Sequence, residues 1–416
     1  MSNYLGDFRN RKNPKSKKMA SQYPQPLALT NNSFPPPGAS NSTITEILNR
    51  FCRSIEFPIR ILGCSVKAGG NNTIILCYAV FNNPTQATPP SPISCILRIG
   101  KLRWNLHDYI DPGILEMAAF HHVMGKSSPL IPSVYAWDAT CRNLLGCPYV
   151  IQPLIAGHDM QSLYTPLGGW RDPIETRINF AHEVAGCIRH IESFRFENYG
   201  TFAISPRMPA KCSDPSSPLI SERIGLSPIP WTGNPSMRKD TKIGHFLIDI
   251  LSSQLEDARR PLAEERHNIL VSMAYGLNEL ELTRGLEQDP EPAVLWHPDF
   301  WPRNIMMGKN EQDVMITGVI DWDDVMVVPR IMTRRPPVFL WDEGEDLSTF
   351  ERNVIKYHFD QRIEQLLPGY CADAYSDWGN MTRAITMYAL KGVDWNYCEL
   401  SFGVLLDLWN QFLGNA

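Results

Sequence analysis

At 416 residues, with 43% hydrophobic and 20% charged side chains, the chain can bury a large core and has ordinary globular composition. It has no apolar run near the ~18 residues of a membrane span and no apolar stretch of a secretory signal at its start, so no membrane partner and a cytoplasmic location are expected. The net charge is −5, but residues 1–20 hold six basic groups against Asp7 alone; an acidic body of this kind does not suit nucleic acid and tolerates a neutral or cationic small substrate.

Residues 1–43 are polar, with Pro24, Pro26 and Pro35 to Pro37, and cannot bury enough apolar area to offset the entropy of ordering. They read as a disordered tail, and the basic run RNRKNPKSKK within it as a solvated segment rather than a nuclear or transit signal. A short helix follows at 43–53, capped by Ser42 or Thr43. β-like runs come at 59–66, 73–81 and 93–99, the last two separated by a stiff Pro-rich loop at 82–92. Between the first two runs lie Gly69 and Gly70, in Lys67-Ala68-Gly69-Gly70-Asn71-Asn72. This is either a hairpin turn or a loop whose backbone approaches phosphate closely. A helix is expected at 112–124, then strands near 134–137 and 148–152. After Gly157 the apolar residues recur at three- and four-residue steps, at 172–195, 238–260 and 262–285, and again at 345–366, 374–391 and 396–413. The ten cysteines contain no C-x-x-C pair and read as free thiols in a reducing compartment, with no zinc site.

The most informative segment is WHPDFWPRNIMMGKNEQDVMITGVIDWDDV, from Trp296 to Val325. It holds H-x-D-x-x-x-x-N, then two apolar pieces, then Asp-Trp-Asp-Asp. Phosphoryl transfer from ATP needs a carboxylate at the acceptor hydroxyl, and an amide with a second carboxylate to hold magnesium against the phosphates. Asp299, Asn304 and Asp321 fit those three roles. The apolar pieces at 305–307 and 314–320 can pair as a hairpin, which would bring Asn304 and Asp321 to one end. Asp323 fits either a second magnesium or a structural hydrogen bond, and Trp296, Trp301 and Trp322 either line a substrate wall or pack the core.

This segment resembles the catalytic and metal loops of the aminoglycoside phosphotransferase/choline kinase-like branch of the protein-kinase-like fold. The metal loop of that branch reads I-D-[WF]-[DE], as in Ile320-Asp321-Trp322-Asp323. The resemblance implies Asp299 as catalytic base, Asn304 and Asp321 as magnesium ligands, and His297 as a buttress of the loop. It also implies an α+β, bilobal fold: a small, mostly antiparallel N-lobe with one helix at 44–154, and a large, mainly helical C-lobe at 155–416. A kinase-like small lobe needs a cation for the α/β-phosphates, held by a helix carboxylate. Arg98 in S-C-I-L-R-I-G stands where most kinases carry lysine, and Glu116 in G-I-L-E-M-A-A-F is the helix acid, unless the two are a surface ion pair. The segment Pro148-Tyr149-Val150-Ile151-Gln152-Pro153-Leu154 resembles the hinge, whose backbone around Gln152 and Leu154 would meet the adenine. Pro153 lacks an N–H, so a neighbour must donate.

The expected activity is that of a small-molecule kinase: transfer of the γ-phosphoryl of ATP, with Mg2+, to a hydroxyl, under Gly69 and Gly70. Two other readings exist. One is a catalytically impaired nucleotide-binding or scaffold protein, and the other is an iron site of His297, Asp299 and His358. The second leaves Asn304 and the Asp-Trp-Asp-Asp segment unexplained. No A-P-E segment follows Asp324 to dock a peptide, so the expected partner is a small molecule. The run Arg335-Pro336-Pro337-Val338-Phe339-Leu340-Trp341 resembles a pattern of fungal phosphotransferase-family sequences. The acids of Trp341-Asp-Glu-Gly-Glu-Asp346 read either as a site for ammonium groups or as a solvated helix start.

Overall fold

Helix α1 (Asn41–Ser54) lays Ile44, Leu48, Phe51 and Cys52 on the first strands of the chain in the computed structural model. The structure describes residues 35, 38–68, 72–81, 92–100, 110–164, 174–204, 208–213, 226–229, 242–253, 261–283, 291–309, 314–342, 347–391 and 402–415. Gly69, Gly70, the acids at 343–346 and nearly all of the 1–43 tail lie outside them. The helix begins two residues earlier than its sequence suggests, because the Ser40 hydroxyl accepts from the Thr43 N–H at 3.2 Å and supplies the cap.

Strands β1 (Ile59–Ala68), β2 (Asn72–Phe81), β3 (Pro92–Gly100), β4 (Ala136–Asp138) and β5 (Tyr149–Pro153) form an antiparallel sheet in the order β1-β2-β3-β5-β4. Alternation divides its two faces. Ile75, Cys77, Ala79, Cys95, Leu97, Ile99, Tyr149 and Ile151 are buried with α1. By the same alternation Ile74, Leu76, Ile96, Arg98 and Gln152 belong to the other face, where the three isoleucine and leucine side chains are only half-buried. Helix α2 (Pro112–Ser127), capped by the Asp111 carboxylate, packs Ile114, Met117 and Ala118 with Trp137 and Val150 on that second side. A short strand at Lys211–Cys212 pairs with β4 and extends the sheet, so the division drawn at residue 154 is crossed by a later segment. Two residues are too few to show an alternation, and the pairing is fixed instead by Trp137 Nε1–H donating to the Pro209 carbonyl at 3.0 Å.

The rest is mainly helical. The helices Ile174–Glu192 and Thr349–Leu366 enclose one core with the hairpin β6 (Ile305–Lys309)–β7 (Val314–Val319). The helices Ile243–Ser253, Pro261–Thr283, Asp377–Lys391 and Phe402–Asn415 build a second core. The helix expected at 374–391 is broken at Ser376, whose hydroxyl caps the Gly379 N–H at 3.0 Å. No described helix is long and apolar enough to cross a membrane. The α+β class and the two-part organisation expected from the sequence are those of the structure.

The hinge is clamped to the hairpin. Gly157, at φ +116°, lies so close to the Met307 carbonyl that a Cβ would stand 2.0 Å from its oxygen. Thr317 Oγ1–H donates to the Ala156 carbonyl at 2.6 Å, and His158 and Asp159 pair with Met307 and Met306. The segment that leaves the sheet is thereby tied to the segment that carries the acids.

Candidate active site

The hairpin positions the first three groups. Ile305 pairs with Val319, and the Ile320 N–H donates to the Asn304 carbonyl at 2.9 Å, so Asn304 and Asp321 emerge at one end. Before β6 the chain makes a tight 3-10 turn, Pro302–Asn304, with Pro302 where no N–H is needed. That turn folds Asn304 back on Asp299: its amide donates to Asp299 Oδ2 at 2.8 Å and to the Asp299 carbonyl at 2.9 Å. Both donors come from Nδ2, which leaves Oδ1 as the acceptor end of a buried amide. Asp321 has φ +66°, a strained conformation for a side chain other than glycine, at a cost of about 1–3 kcal/mol, and its carboxylate is half exposed.

His297 fastens the two loops together. It is buried, its Nε2–H donates to the Ile320 carbonyl at 2.9 Å, and its ring meets the Trp322 ring edge-on at 4.6 Å. Burial lowers its pKa, the carbonyl contact opposing, which favours the neutral ring. Among the described residues no cluster of three or more His, Cys, Asp or Glu is able to hold a metal, so His297, Asp299 and His358 do not form an iron site. His358 lies against His182 instead.

Two contacts were not anticipated. Arg303 Nη2 reaches Asp299 Oδ1 at 2.6 Å, so both oxygens of that carboxylate are engaged. The signal was in the sequence, an arginine four residues after the acid on one turn, but a 3-10 turn has to form before they meet. The second concerns Arg98. It does not pair with Glu116: its Nη2 bonds both oxygens of Asp323, at 2.9 and 2.7 Å, and stands 3.8 Å from Asp321. Glu116 keeps solvent exposure but lines a cavity with Asp323 and Asp324, and its pKa is raised by desolvation and by Asp111. Asp323 is pushed up by burial, against the pull of Arg98. Arg98 Nε is buried and has no hydrogen-bond partner.

At the hinge, Gln152 is 2% exposed and its Nε2 has no partner. The Leu154 N–H is spent on the Ser94 carbonyl at 3.0 Å, so it is not the free donor expected there. Because successive N–H groups of a strand point to opposite edges, the donor next to Pro153 on the other edge belongs to Ile155.

A cavity of about 860 Å³ opens beside Asp299, lined by Trp296, Phe300, Trp301, Pro336, Pro337 and Phe339 among others. Trp322 is core, against His297 and Phe120, whereas Trp296 and Trp301 face this cavity. The Arg335 guanidinium lies 5.6 Å over the Trp301 ring. Behind the wall, Arg334 holds Glu192 through two bonds at 2.8 and 3.1 Å, and Asp373 at 2.9 Å.

Residues 96–332 match the phosphotransferase enzyme family. A subtelomeric hrmA-associated cluster protein of Aspergillus fumigatus is 21% identical over 344 residues, 70% of this chain and 63% of its own length. The chain thus spans under two thirds of that relative. Among solved structures, a variant of aminoglycoside 2'-phosphotransferase-IIIa in complex with GDP is similar, with 14% identity, a TM-score of 0.43, and coverage of 89% of this chain and 98% of the other. An ethanolamine kinase of Plasmodium vivax is similar at 10% identity and a TM-score of 0.38, over 84% and 81% of the two chains.

Proposed function

The chain belongs to the phosphotransferase enzyme family, and from that premise we propose that it transfers the γ-phosphoryl group of ATP, with magnesium, to a hydroxyl of a small molecule. The observation that carries this reading is the meeting of Asp299, Asn304 and Asp321 at one end of the β6–β7 hairpin, with Arg98 reaching the same loop from the sheet. The groups there fit a hard cation and a triphosphate. An amide oxygen and a half-exposed carboxylate are oxygen donors of the magnesium kind, completed by phosphate oxygens rather than by further side chains. The buried Arg98 Nε–H and Gln152 Nε2, both without partners, are donors to a nucleotide.

In this mechanism Asp299 accepts or orients the proton of the acceptor hydroxyl, held in place by the Asn304 amide. The acceptor oxygen forms its bond to the γ-phosphorus as the bond to the β,γ-bridging oxygen breaks, and ADP leaves. Asn304 and Asp321 would hold magnesium, which when bound would supply neutralisation of charge on the phosphate oxygens. Arg98 contributes a permanently charged, planar fork to the α/β-phosphates, fixed by Asp323 in place of a helix acid. Gly69 and Gly70, outside the described residues, would be the backbone nearest the triphosphate. The half-buried Ile74, Leu76 and Ile96 give the adenine an apolar ceiling, and the Pro153 carbonyl and Ile155 N–H its hydrogen-bonding edge. Arg303 is drawn off Asp299 toward the transferring group, where its charge offsets that of the phosphoryl oxygens.

Calorimetric titration with ATP, with and without magnesium, tests the reading on wild type and Asp321→Ala. Saturable binding that magnesium strengthens, and that the variant no longer couples to magnesium, is expected. A wild-type titration indifferent to magnesium would overturn the metal assignment, and no binding at all would leave a scaffold role as the better account.

A further inference from the structure

On the side of the sheet covered by α1, three cysteines stand in one row across three strands. Cys64 of β1 lies opposite Cys77 of β2, and Cys77 lies opposite Cys95 of β3. Residues directly opposite in an antiparallel pair share a face, and all three side chains pack in the core that α1 closes. None of them belongs to the site described above, which Arg98 and Gln152 meet from the other face.

The two pairs are not equivalent. The Ser94 carbonyl accepts from the Leu154 N–H, and the Gly100 N–H donates to the Pro148 carbonyl, both at 3.0 Å. The even-numbered residues of β3 therefore turn their backbone groups to β5, and Cys95 turns its own to β2. Cys77, opposite it, directs its N–H and C=O to β3 and none to β1. Ile61 agrees from the edge strand. It lies opposite Ala79, yet its N–H and carbonyl bond the Asn49 side chain, at 2.8 Å each, rather than β2. Cys64 and Cys77 are thus a non-hydrogen-bonded pair, the kind whose Cα atoms stand about 4.5 Å apart with side chains close together. A disulfide needs a Cα separation of roughly 4.4–6.8 Å, so this pair can close one with the strands where they are.

The two sulfurs also differ in access. Cys77 is 4% exposed, and its hydrogen bond with Cys95, together with burial, raises its pKa and keeps it a thiol. Cys64 retains contact with solvent. Its S–H donates to the Asn41 carbonyl at 3.4 Å, and Thr45 Oγ1 lies 3.3 Å from the sulfur. An oxidant therefore meets Cys64 first, and Cys77 is the thiol placed to react with the product.

We propose that Cys64 and Cys77 form a reversible oxidation site, at which hydrogen peroxide produces a cross-strand disulfide that staples β1 to β2. The Cys64 thiolate attacks one peroxide oxygen, the O–O bond breaks, and a sulfenic acid remains as hydroxide leaves. The Cys77 sulfur then attacks Cys64 Sγ. The S–S bond forms, the S–O bond breaks, and the Cys77 proton departs with the hydroxyl as water. In sum two thiols are oxidised and one peroxide is reduced to two waters. A small dithiol reverses the bond by exchange. The staple also removes the S–H that Cys64 gives to Asn41 at the start of α1.

Peptide mapping tests this on the full chain. The protein is treated with hydrogen peroxide, free thiols are blocked with iodoacetamide, and tryptic peptides are weighed by mass spectrometry without reduction. Cleavage at Lys67 separates Cys64 from Cys77, whereas Cys77 and Cys95 stay within residues 68–98. A Cys64–Cys77 bond therefore joins the peptides 61–67 and 68–98, at two hydrogens below their summed mass. That species is expected in wild type and in Cys95→Ser, and is expected to vanish in Cys77→Ser and after dithiothreitol. Several outcomes would overturn the proposal: a Cys64 that stays open to alkylation, a Cys64 oxidised without a link, a bond closed within 68–98 alone, or a link that survives Cys77→Ser. Where a variant fails to fold, fragmentation of the linked wild-type peptide tells Cys77 from Cys95 as the partner. No step uses a nucleotide, so the result stands apart from the phosphotransferase reading.

Discussion

Asn304 bonds Asp299 across five residues, whereas Arg98 bonds Asp323 across 225. The first contact is made by one turn of chain and the pairing that follows it. The second depends on how the sheet is set over the Asp321–Asp324 loop, through the segment after β5 that is clamped at Gly157 and Thr317. The two halves of the site thus differ in what fixes them: local geometry places the acid and amide, and tertiary packing chooses the partner of the cation. The difference has a consequence for mutation. A change in the local half should damage chemistry and spare the fold, and a change at the cross-sheet pair should damage the fold first.

The largest effect is expected at Asp299. Asp299→Asn keeps the hydrogen bonds that a neutral side chain of this shape can make, and removes the proton acceptor. Turnover should fall by ~10²–10⁴, about 3–5 kcal/mol in barrier, with ATP affinity unchanged. Steady-state and binding measurements on the same preparation check it, and full activity would refute the base assignment.

A smaller effect separates the two candidate partners of Arg98. Asp323→Ala leaves a mostly buried guanidinium without its carboxylate, and urea unfolding should show a loss of about 2–3 kcal/mol, discounted from the fully buried case because Asp323 keeps partial exposure. Glu116→Ala, which removes an exposed acid that does not bond Arg98, should stay within about 0.5 kcal/mol. Equal losses would mean that the helix acid shares the role after all.

These contrasts also mark what the sequence made legible. The strands at 59–66, 73–81 and 93–99 were readable because every second residue has to face α1 or the opposite face of the sheet, and that period is written in the chain. The Asp299, Asn304 and Asp321 cluster was readable for the same local reason. The hairpin between them needs only two apolar runs and a turn. Glu116 shares a cavity with Asp323 and Asp324, and spacing on a helix does not say which of these acids the cation takes. That the Leu154 N–H is occupied was not legible, because the N–H edge of a strand depends on its neighbour, here Ser94 of β3. The short strand at Lys211–Cys212 has too few residues to show a period at all. The cavity beside Asp299 was the least legible, since its walls come from segments between residues 188 and 408 that only the fold brings together.

The smallest expected effect tests the packing side of the comparison through protons. His121 lies on α2, 1% exposed, with Nδ1–H donating to the Pro132 carbonyl at 2.7 Å and Nε2 without a partner. Burial, aided by the nearby charge of Arg98, depresses its pKa to about 3, and its neighbour His122 is held at about 4 by burial and by Lys126. In the unfolded chain both should titrate near the ordinary ~6.5. Above that pH neither state binds the proton, and the full stability is present. As pH falls below it, the unfolded chain takes up protons that the folded one refuses, so stability declines by about 1.4 kcal/mol per pH unit for each histidine. Between pH 6.5 and 5, above the range of most carboxylates, urea unfolding should therefore weaken steadily. His182, His190, His267 and His297 are depressed by burial too and add to the slope. His121→Asn, which keeps a donor for the Pro132 carbonyl and cannot titrate, should therefore remove only the share of one histidine, about 1.4 kcal/mol per pH unit. An unchanged slope would mean that His121 gains its proton without unfolding, and that α2 packs on the sheet less closely than its burial requires.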